Sequence, residues 1–183
     1  MVCRTWDSSV MSKTKVLAFN SQFKRLAELH AKYGVQGQYQ NHSGNGVGGS
    51  VWELLFLLEG IDSQHIGIQY DLRHAMVEGY MSWENGFEVI KDKITTLDIK
   101  DFKWKDSAGK DAPVTVPLGS GNVEFMKITH SAAFQSPEVP KILHVEHNLG
   151  GAELGSATPS LAPKAILKAI AKDVEYYGRE LLV

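Results

Sequence analysis

Ile66-Gly67-Ile68-Gln69-Tyr70-Asp71-Leu72-Arg73-His74 is the stretch from which the fold is read. Residues 66–70 are mostly apolar and make a short strand that ends on a carboxylate, Asp71, after which residues 72–82 read as a loop. The same grammar recurs on both sides. Upstream, residues 35–40 look extended and run into Asn41-His42-Ser43-Gly44-Asn45-Gly46-Val47-Gly48-Gly49, a loop by composition. Downstream, residues 94–99 end at Lys100-Asp101, and Ile142-Leu143-His144-Val145 ends at Glu146.

Between these strands the apolar spacing changes to three and four. Phe23, Leu26, Ala27, His30 and Tyr33 predict an amphipathic helix over 20–33, stopped by Gly34. Residues 51–59 predict a second helix stopped by Gly60, and residues 83–91 a third with Phe87 and Ile90 on one face. Residues 123–134 look helical, and a closing helix carries Pro163 in its first turn and Ala165, Ile166, Ala169, Ile170 and Val174 on one stripe. Strands joined by helical crossovers are parallel, so the class is α/β in one domain. Residues 102–121, with Gly109, Pro113, Pro117 and Gly119, read as a long loop. The alternating charges over 91–111 read as solvated surface, Lys100 and Asp101 excepted.

Composition narrows the function classes. The 183 residues carry 19 Lys+Arg against 21 Asp+Glu, a formal charge of −2, so no bulk positive field exists for nucleic acid or an anionic membrane. At 43% hydrophobic and 22% charged, the chain is an ordinary globular one. Its longest apolar run, Leu54-Leu55-Phe56-Leu57-Leu58, falls far short of the roughly 18 to 20 residues that cross a bilayer. Cys3 stands alone, so no internal disulfide forms, no zinc knuckle is spelled out, and a reducing compartment is compatible. Residues 1–15 read as a polar lead-in without a secretory leader, which fits a cytoplasmic location if that amino terminus is genuine.

In parallel α/β folds the carboxyl ends of the strands open onto one face and carry the chemistry. Polar residues bound strands in any protein, since the chain must emerge into water. Here, though, four ends coincide: Gln40-Asn41-His42, Asp71 with His74, Lys100-Asp101, and Glu146 with His147. Asp71 and Glu146 are oxygen donors of the kind that hold Mg²⁺ or Mn²⁺, with Asn41, His42 and His74 available to complete a shell or bind hydroxyls. His74 reads equally as a buried histidine bonded to Asp71. Lys100 suits an oxyanion or phosphate, and Trp83 and Trp104 are either apolar walls for a sugar ring or loop anchors. The glycines at 44, 46, 48 and 49 lack the Gly-Lys-Ser/Thr of a phosphate loop and fit a flexible turn. No Gly-x-Ser-x-Gly elbow is present.

The ordered set Ala27-Glu28-Leu29-His30-Ala31-Lys32-Tyr33-Gly34, Gln40-Asn41-His42-Ser43-Gly44, Gly67 to Ala75, Ile99-Lys100-Asp101-Phe102, Pro117-Leu118-Gly119 and Val145-Glu146 resembles the sugar phosphate isomerase/epimerase group, with its xylose isomerase-like TIM barrel. The resemblance covers roughly residues 16–182 and corresponds to strands five to eight, the second half of such a barrel. It implies a divalent metal (Mg, Mn or Zn) held by Gln40, Asp71 and Glu146. Glu146, His74 and Lys100 would be the catalytic groups, and Asn41, His42, Asp101 and Trp104 would bind a sugar or sugar phosphate. Two positions depart from the family pattern: Gln40 stands where the first glutamate is usual, and Asp98 where a histidine is. An amide oxygen ligates a metal but is no base near neutral pH. A catalytically inactive carbohydrate-binding or assembly module on the same scaffold is the alternative that these departures motivate. An endonuclease for abasic DNA, a relative in fold, needs more ligands than are found here, and the charge offers no basic footprint. Four βα units cannot close an eight-stranded barrel of about 250 residues. The expectation is therefore a carboxyl-terminal portion that lacks its partner half, or a homodimer of paired halves.

Overall fold

The computed structural model describes residues 2–3, 12–107 and 110–182. Five parallel strands form one sheet in the order β1 (Val2–Cys3), β2 (Gly37–Gln40), β3 (Ile66–Asp71), β4 (Ile94–Ile99) and β7 (Lys141–Leu143). Helices cross over between them: α1 (Lys13–Tyr33), α2 (Val51–Leu57), α3 (Leu72–Gly79), α4 (Trp83–Ile90), and the short α5 (Met126–Thr129) and α6 (Ala132–Gln135); α7 (Pro163–Tyr176) closes the chain. The α/β class with parallel strands and helical crossovers is as the sequence predicts.

Several boundaries differ, each for a local reason. The first helix starts seven residues before the predicted Asn20, because Ser12 caps it by accepting from Lys15 N–H and Val16 anchors its first turn in the core. Residues 2–3 pair in parallel with β2, and residues 13–15 are helical, so part of the predicted lead-in belongs to the fold; residues 1 and 4–11 lie outside those described. The stretch after Asp71 is a helix and not a loop, since the Asp71 carboxylate accepts from His74 N–H as its N-cap. Residues 101–116, read as loop and solvated surface, form an antiparallel ribbon of β5 (Asp101–Ser107) and β6 (Lys110–Val116). The predicted helix over 123–134 breaks in two at His130 and Ser131, where Ser131 caps the second piece.

The sheet has two unlike faces, which follow from the two-residue alternation of a strand. Tyr39, Ile68, Tyr70, Leu97 and Ile99 are fully buried in the apolar core, with Phe23, Leu54, Leu57 and Ile90 from the helices in the same cluster. The alternate residues, Gln40, Gln69, Asp71, Thr96 and Asp98, are polar and yet buried. Buried polar groups need partners, so the interior of this curved sheet is a network of side chains bonded to one another. Gly67 permits this close approach of β3 to β4: a Cβ there would meet Thr95 Oγ1 at 2.2 Å. Among the described residues no helix is long and apolar enough to cross a membrane.

Candidate active site

The polar face converges at the carboxyl ends of β2, β3, β4 and β7. Register sets Asp71 opposite Asp98 and Gln40 opposite Gln69, so two carboxylates and two amides share one layer. Gln40 Nε2 donates to Asp71 Oδ2 (3.1 Å) and Asp98 Oδ2 (2.8 Å), and Gln69 Nε2 donates to both oxygens of Asp98 (2.9 and 2.7 Å). The Gln40 NH₂ end thus faces the carboxylates, because only a donor satisfies two acceptors. Lys100, fully buried, sets Nζ 2.9 Å from Asp71 Oδ2 and 2.9 Å from Glu146 Oε2, which brings the last two strand ends to the same point.

His144 is the residue that sequence reasoning passed over. Its Nδ1 lies 3.3 Å from Asp98 Oδ2 and 3.7 Å from Asp71 Oδ2, and its Nε2 is 2.8 Å from Glu146 Oε1. The signal for it was parity: His144 and Glu146 are two residues apart in the extended segment that follows β7, and the 2.8 Å contact between them brings them to one side. Asp71, Asp98 and His144 each offer one donor atom, all within 4.8 Å of one another, a set suited to a metal ion. The fit is tested by His144 Nδ1, which is buried and makes no aligned hydrogen bond, although two carboxylate oxygens lie close by. Such an orphaned nitrogen beside two carboxylates is what a cation among them would satisfy. The neighbouring Glu146, on Nε2, would hold the ring proton there and leave Nδ1 to a cation.

Electrostatics reinforce the picture. Asp71, whose burial alone would raise its pKa, is held well below the usual carboxylate range by the facing His144, His74 and Lys100. His144 is pushed up to about 11 by Asp71, Asp98 and Glu146, so a cation held among these carboxylates would take the place of the Nδ1 proton. Glu146 is lowered to about 2, first by His144, against burial, and then by Lys100. His74 is pushed down to about 3 by burial, which outweighs Asp71, and by Lys100, and so is neutral near pH 7.

The remaining predicted residues fall in three settings. His74 joins the cluster, with Nε2 3.3 Å from Lys100 Nζ, and His42 stacks on it at 3.9 Å between ring centroids. Asn41 is buried, donating to Asp71 O (3.0 Å) and accepting from Asp71 N–H (2.7 Å), so its amide staples β2 to β3. Asp101 is buried too, and accepts from the backbone N–H of Phe102, Gly121 and Val123 at 2.8 to 3.0 Å, which folds residues 119–123 onto the base of the ribbon. Trp104 packs edge-on against Phe102 and lines a separate cavity of about 360 Å³ with Tyr80, Trp83 and Lys127. The cavity bounded by Lys100, Thr115, Val116, His144 and Glu146 holds only about 10 Å³, one water-sized space. Access lies on the side of His144 and Glu146, whose side chains are 31% and 40% exposed. In the glycine-rich loop the N–H groups of Gly44 and Gly48 are taken by Glu78 and Glu53.

The family model for the xylose isomerase-like TIM barrel matches residues 15–154. No curated protein matches the sequence. Among solved structures, the chain is similar to the probable 3-DHS dehydratase AsbF involved in petrobactin synthesis from Bacillus anthracis, at 16% identity and a TM-score of 0.62, covering 93% of this chain and 59% of that one. A D-tagatose 3-epimerase-like protein superposes with a TM-score of 0.58 at 16% identity, over 92% of this chain and 57% of the other. A xylose isomerase-like TIM barrel protein from Mycobacterium smegmatis, in complex with magnesium, gives 0.56 at 13% identity, over 92% and 55%. The chain therefore spans a little over half the length of these proteins.

Proposed function

We propose, from the premise that this chain belongs to the xylose isomerase-like TIM barrel family, that it is the later portion of a metal-assisted enzyme that moves a proton on a carbohydrate, as an isomerase or epimerase, with β2, β3, β4 and β7 as barrel strands five to eight. The observation that carries the reading is the meeting of Asp71, Asp98 and His144 at three adjacent strand ends, with Lys100 and Glu146 beside them. An epimerase-like protein and a dehydratase among the fold relatives, one relative of the same fold holding magnesium, support a chemistry of this class.

Asp71, Asp98 and His144 would hold the divalent ion, Mg²⁺, Mn²⁺ or Zn²⁺. Bound there, it would polarise adjacent carbonyl and hydroxyl oxygens of a sugar or sugar phosphate. Gln40 and Gln69 orient the Asp98 carboxylate by donating to it, and Gln40 does the same for Asp71. Glu146 is the carboxylate at the open side of the cluster and is ionised near neutral pH; it would take a proton from a substrate carbon at an oxygen released by His144 or Lys100. Lys100 Nζ stands between Asp71 and Glu146, where it stabilises negative charge that develops on a substrate oxygen. This assignment places Glu146 outside the metal shell, as the base, and gives Gln40 the part of a donor to carboxylates. Among the described residues β1 and β7 are the edges of the sheet, where the first half of the barrel would pair.

Titration with Mn²⁺, followed by calorimetry and by the loss of the free-ion paramagnetic signal, tests the metal centre on this chain. One saturable site is expected in the wild type, lost in D98N and in H144A, while W104A binds as wild type does. The reaction class is tested on the protein completed with its first barrel half, by incorporation of solvent deuterium into ketoses. Saturable metal binding without any exchange would remove the proton-transfer reading, and absence of a metal site would leave the inactive carbohydrate-binding module in its place.

A further inference from the structure

We propose that Arg73 is a positioning residue that locks His74 in a single tautomer, with Nδ1 bare and the proton on Nε2. The imidazole then presents a hydrogen-bond donor, and not a base, to a ligand oxygen beside Asp71 and Lys100. The assignment of the tautomer stands on geometry alone; the class of ligand, a carbonyl or hydroxyl oxygen, rests on the proposed function.

The geometry is a count of donors. His74 Nδ1 lies 2.8 Å from Arg73 Nη1 and 3.2 Å from the backbone N of Ser43. A guanidinium N–H and an amide N–H can only donate. A neutral imidazole has one lone-pair nitrogen. Two obligatory donors on Nδ1 make it that nitrogen, and the ring proton resides on Nε2. Ser43 Oγ, 2.9 Å from the same atom, adds a third group able to donate. Both His74 and Arg73 are buried, so water does not substitute for these partners.

The other side of the ring shows what this arrangement leaves over. Nε2 lies 3.3 Å from Lys100 Nζ, whose third N–H is a single, more distant donor set against the nearer ones on Nδ1, and 3.7 Å from Asp71 Oδ2, beyond hydrogen-bond reach. With the proton on Nε2, that N–H has no acceptor within reach among the described residues. A buried donor held next to the carboxylate cluster gains most from an oxygen that arrives there.

Arg73 is well placed to hold the ring so. Its Nη2 donates to Pro113 O on β6 at 3.3 Å, and its Nη1 also reaches Ser43 Oγ at 3.4 Å, so one guanidinium joins the loop after β2, the start of α3 and the β5–β6 ribbon around His74. The stacked His42 ring restrains the plane. Nothing in the residue type at position 73 announces this role; it emerges only when the loop and the ribbon fold over it.

Nitrogen-15 spectra of histidine-labelled protein read the tautomer directly, with the His74 resonances assigned by their loss in H74Q. The wild type is expected to show a protonated Nε2 and a pyridine-type Nδ1 shielded by strong hydrogen bonding. In R73M the Nδ1 resonance should move toward that of an unbonded ring nitrogen and a share of the Nδ1–H tautomer should emerge, whereas R73K, which keeps a donor, should restore the wild-type pattern. A wild-type spectrum with the proton on Nδ1 overturns the proposal, as do unchanged His74 resonances in folded R73M. Should R73M fail to fold, the wild-type tautomer and the R73K spectrum decide. None of these spectra requires turnover or metal, so a failure here is separable from a failure of the proposed function.

Discussion

The substitution of Asp101 separates two readings of one residue: the sugar ligand that its position after a strand end implies, and the loop clamp that its bonds describe. Its Oδ1 accepts from Phe102 N–H (2.8 Å) and Val123 N–H (3.0 Å), and its Oδ2 from Gly121 N–H (2.8 Å), with the side chain buried. Hydrogen bonds to a charged group contribute about 1.5 to 3 kcal/mol each, and a buried donor left without an acceptor costs about 1 to 3 kcal/mol. D101A leaves three such donors, some of which water will reach, so its cost should be roughly 3 to 5 kcal/mol. D101N keeps an oxygen for two of them and turns an NH₂ against Gly121 N–H, for a cost of about 2 kcal/mol. Urea unfolding followed by tryptophan fluorescence measures both. With a slope of about 2 to 3 kcal/mol per molar, the D101A midpoint should fall by about 1 to 2.5 M. G121A should behave similarly, because its Cβ would lie 2.1 Å from Asp101 Oδ1 and 2.4 Å from Phe102 O. The two changes break one contact, so the double variant should cost less than their sum. A D101N protein as stable as the wild type that has lost sugar affinity would refute the clamp and reinstate the substrate ligand.

Further predictions concern the core and the metal centre. Tyr70 is fully buried and its hydroxyl finds no partner among the described residues, so Y70F should be neutral or stabilising by up to about 1 kcal/mol; a marked fall in melting temperature would reveal a bond to that hydroxyl. G67A drives a Cβ to 2.2 Å from Thr95 Oγ1 and 2.3 Å from Thr95 Cγ2, and should cost about 1 to 3 kcal/mol. Adding T95G should recover much of that loss, and strict additivity in denaturant would show that the clash had relaxed by another route. E146Q should weaken Mn²⁺ binding by about 10- to 100-fold, as loss of a hydrogen-bonding partner to a metal-ligating histidine does, with a smaller effect than D98N. Equal losses in the two variants would make Glu146 a ligand itself.

How far the sequence reaches is visible strand by strand. Residues 66–71 and 94–99 were legible because apolar runs that end on a charged residue, separated by helical spacing, have few other solutions than parallel strands with crossovers. The β5–β6 ribbon was not, since Phe102 and Trp104 alternate with Lys103 and Lys105 in a pattern that a solvated charged surface also shows, and only the pairing of Trp104 with Pro113 tells them apart. The helix after Asp71 was missed because its N-cap is also the strand's last residue.

By itself the sequence determined the class of fold, the rim on which polar groups collect, and the convergence of Asp71, Lys100 and Glu146, because strand periodicity and the rule of carboxyl ends depend only on local order. The tertiary structure alone decided which partners these side chains meet. Asp101 and Asn41 have the residue types of ligand-binding groups but bond to backbone, and His144, in a strand that reads as core, turns toward Asp98. Which partner a buried polar group takes depends on which groups are brought within 3 Å of it once water is expelled, and sequence distance carries no record of that.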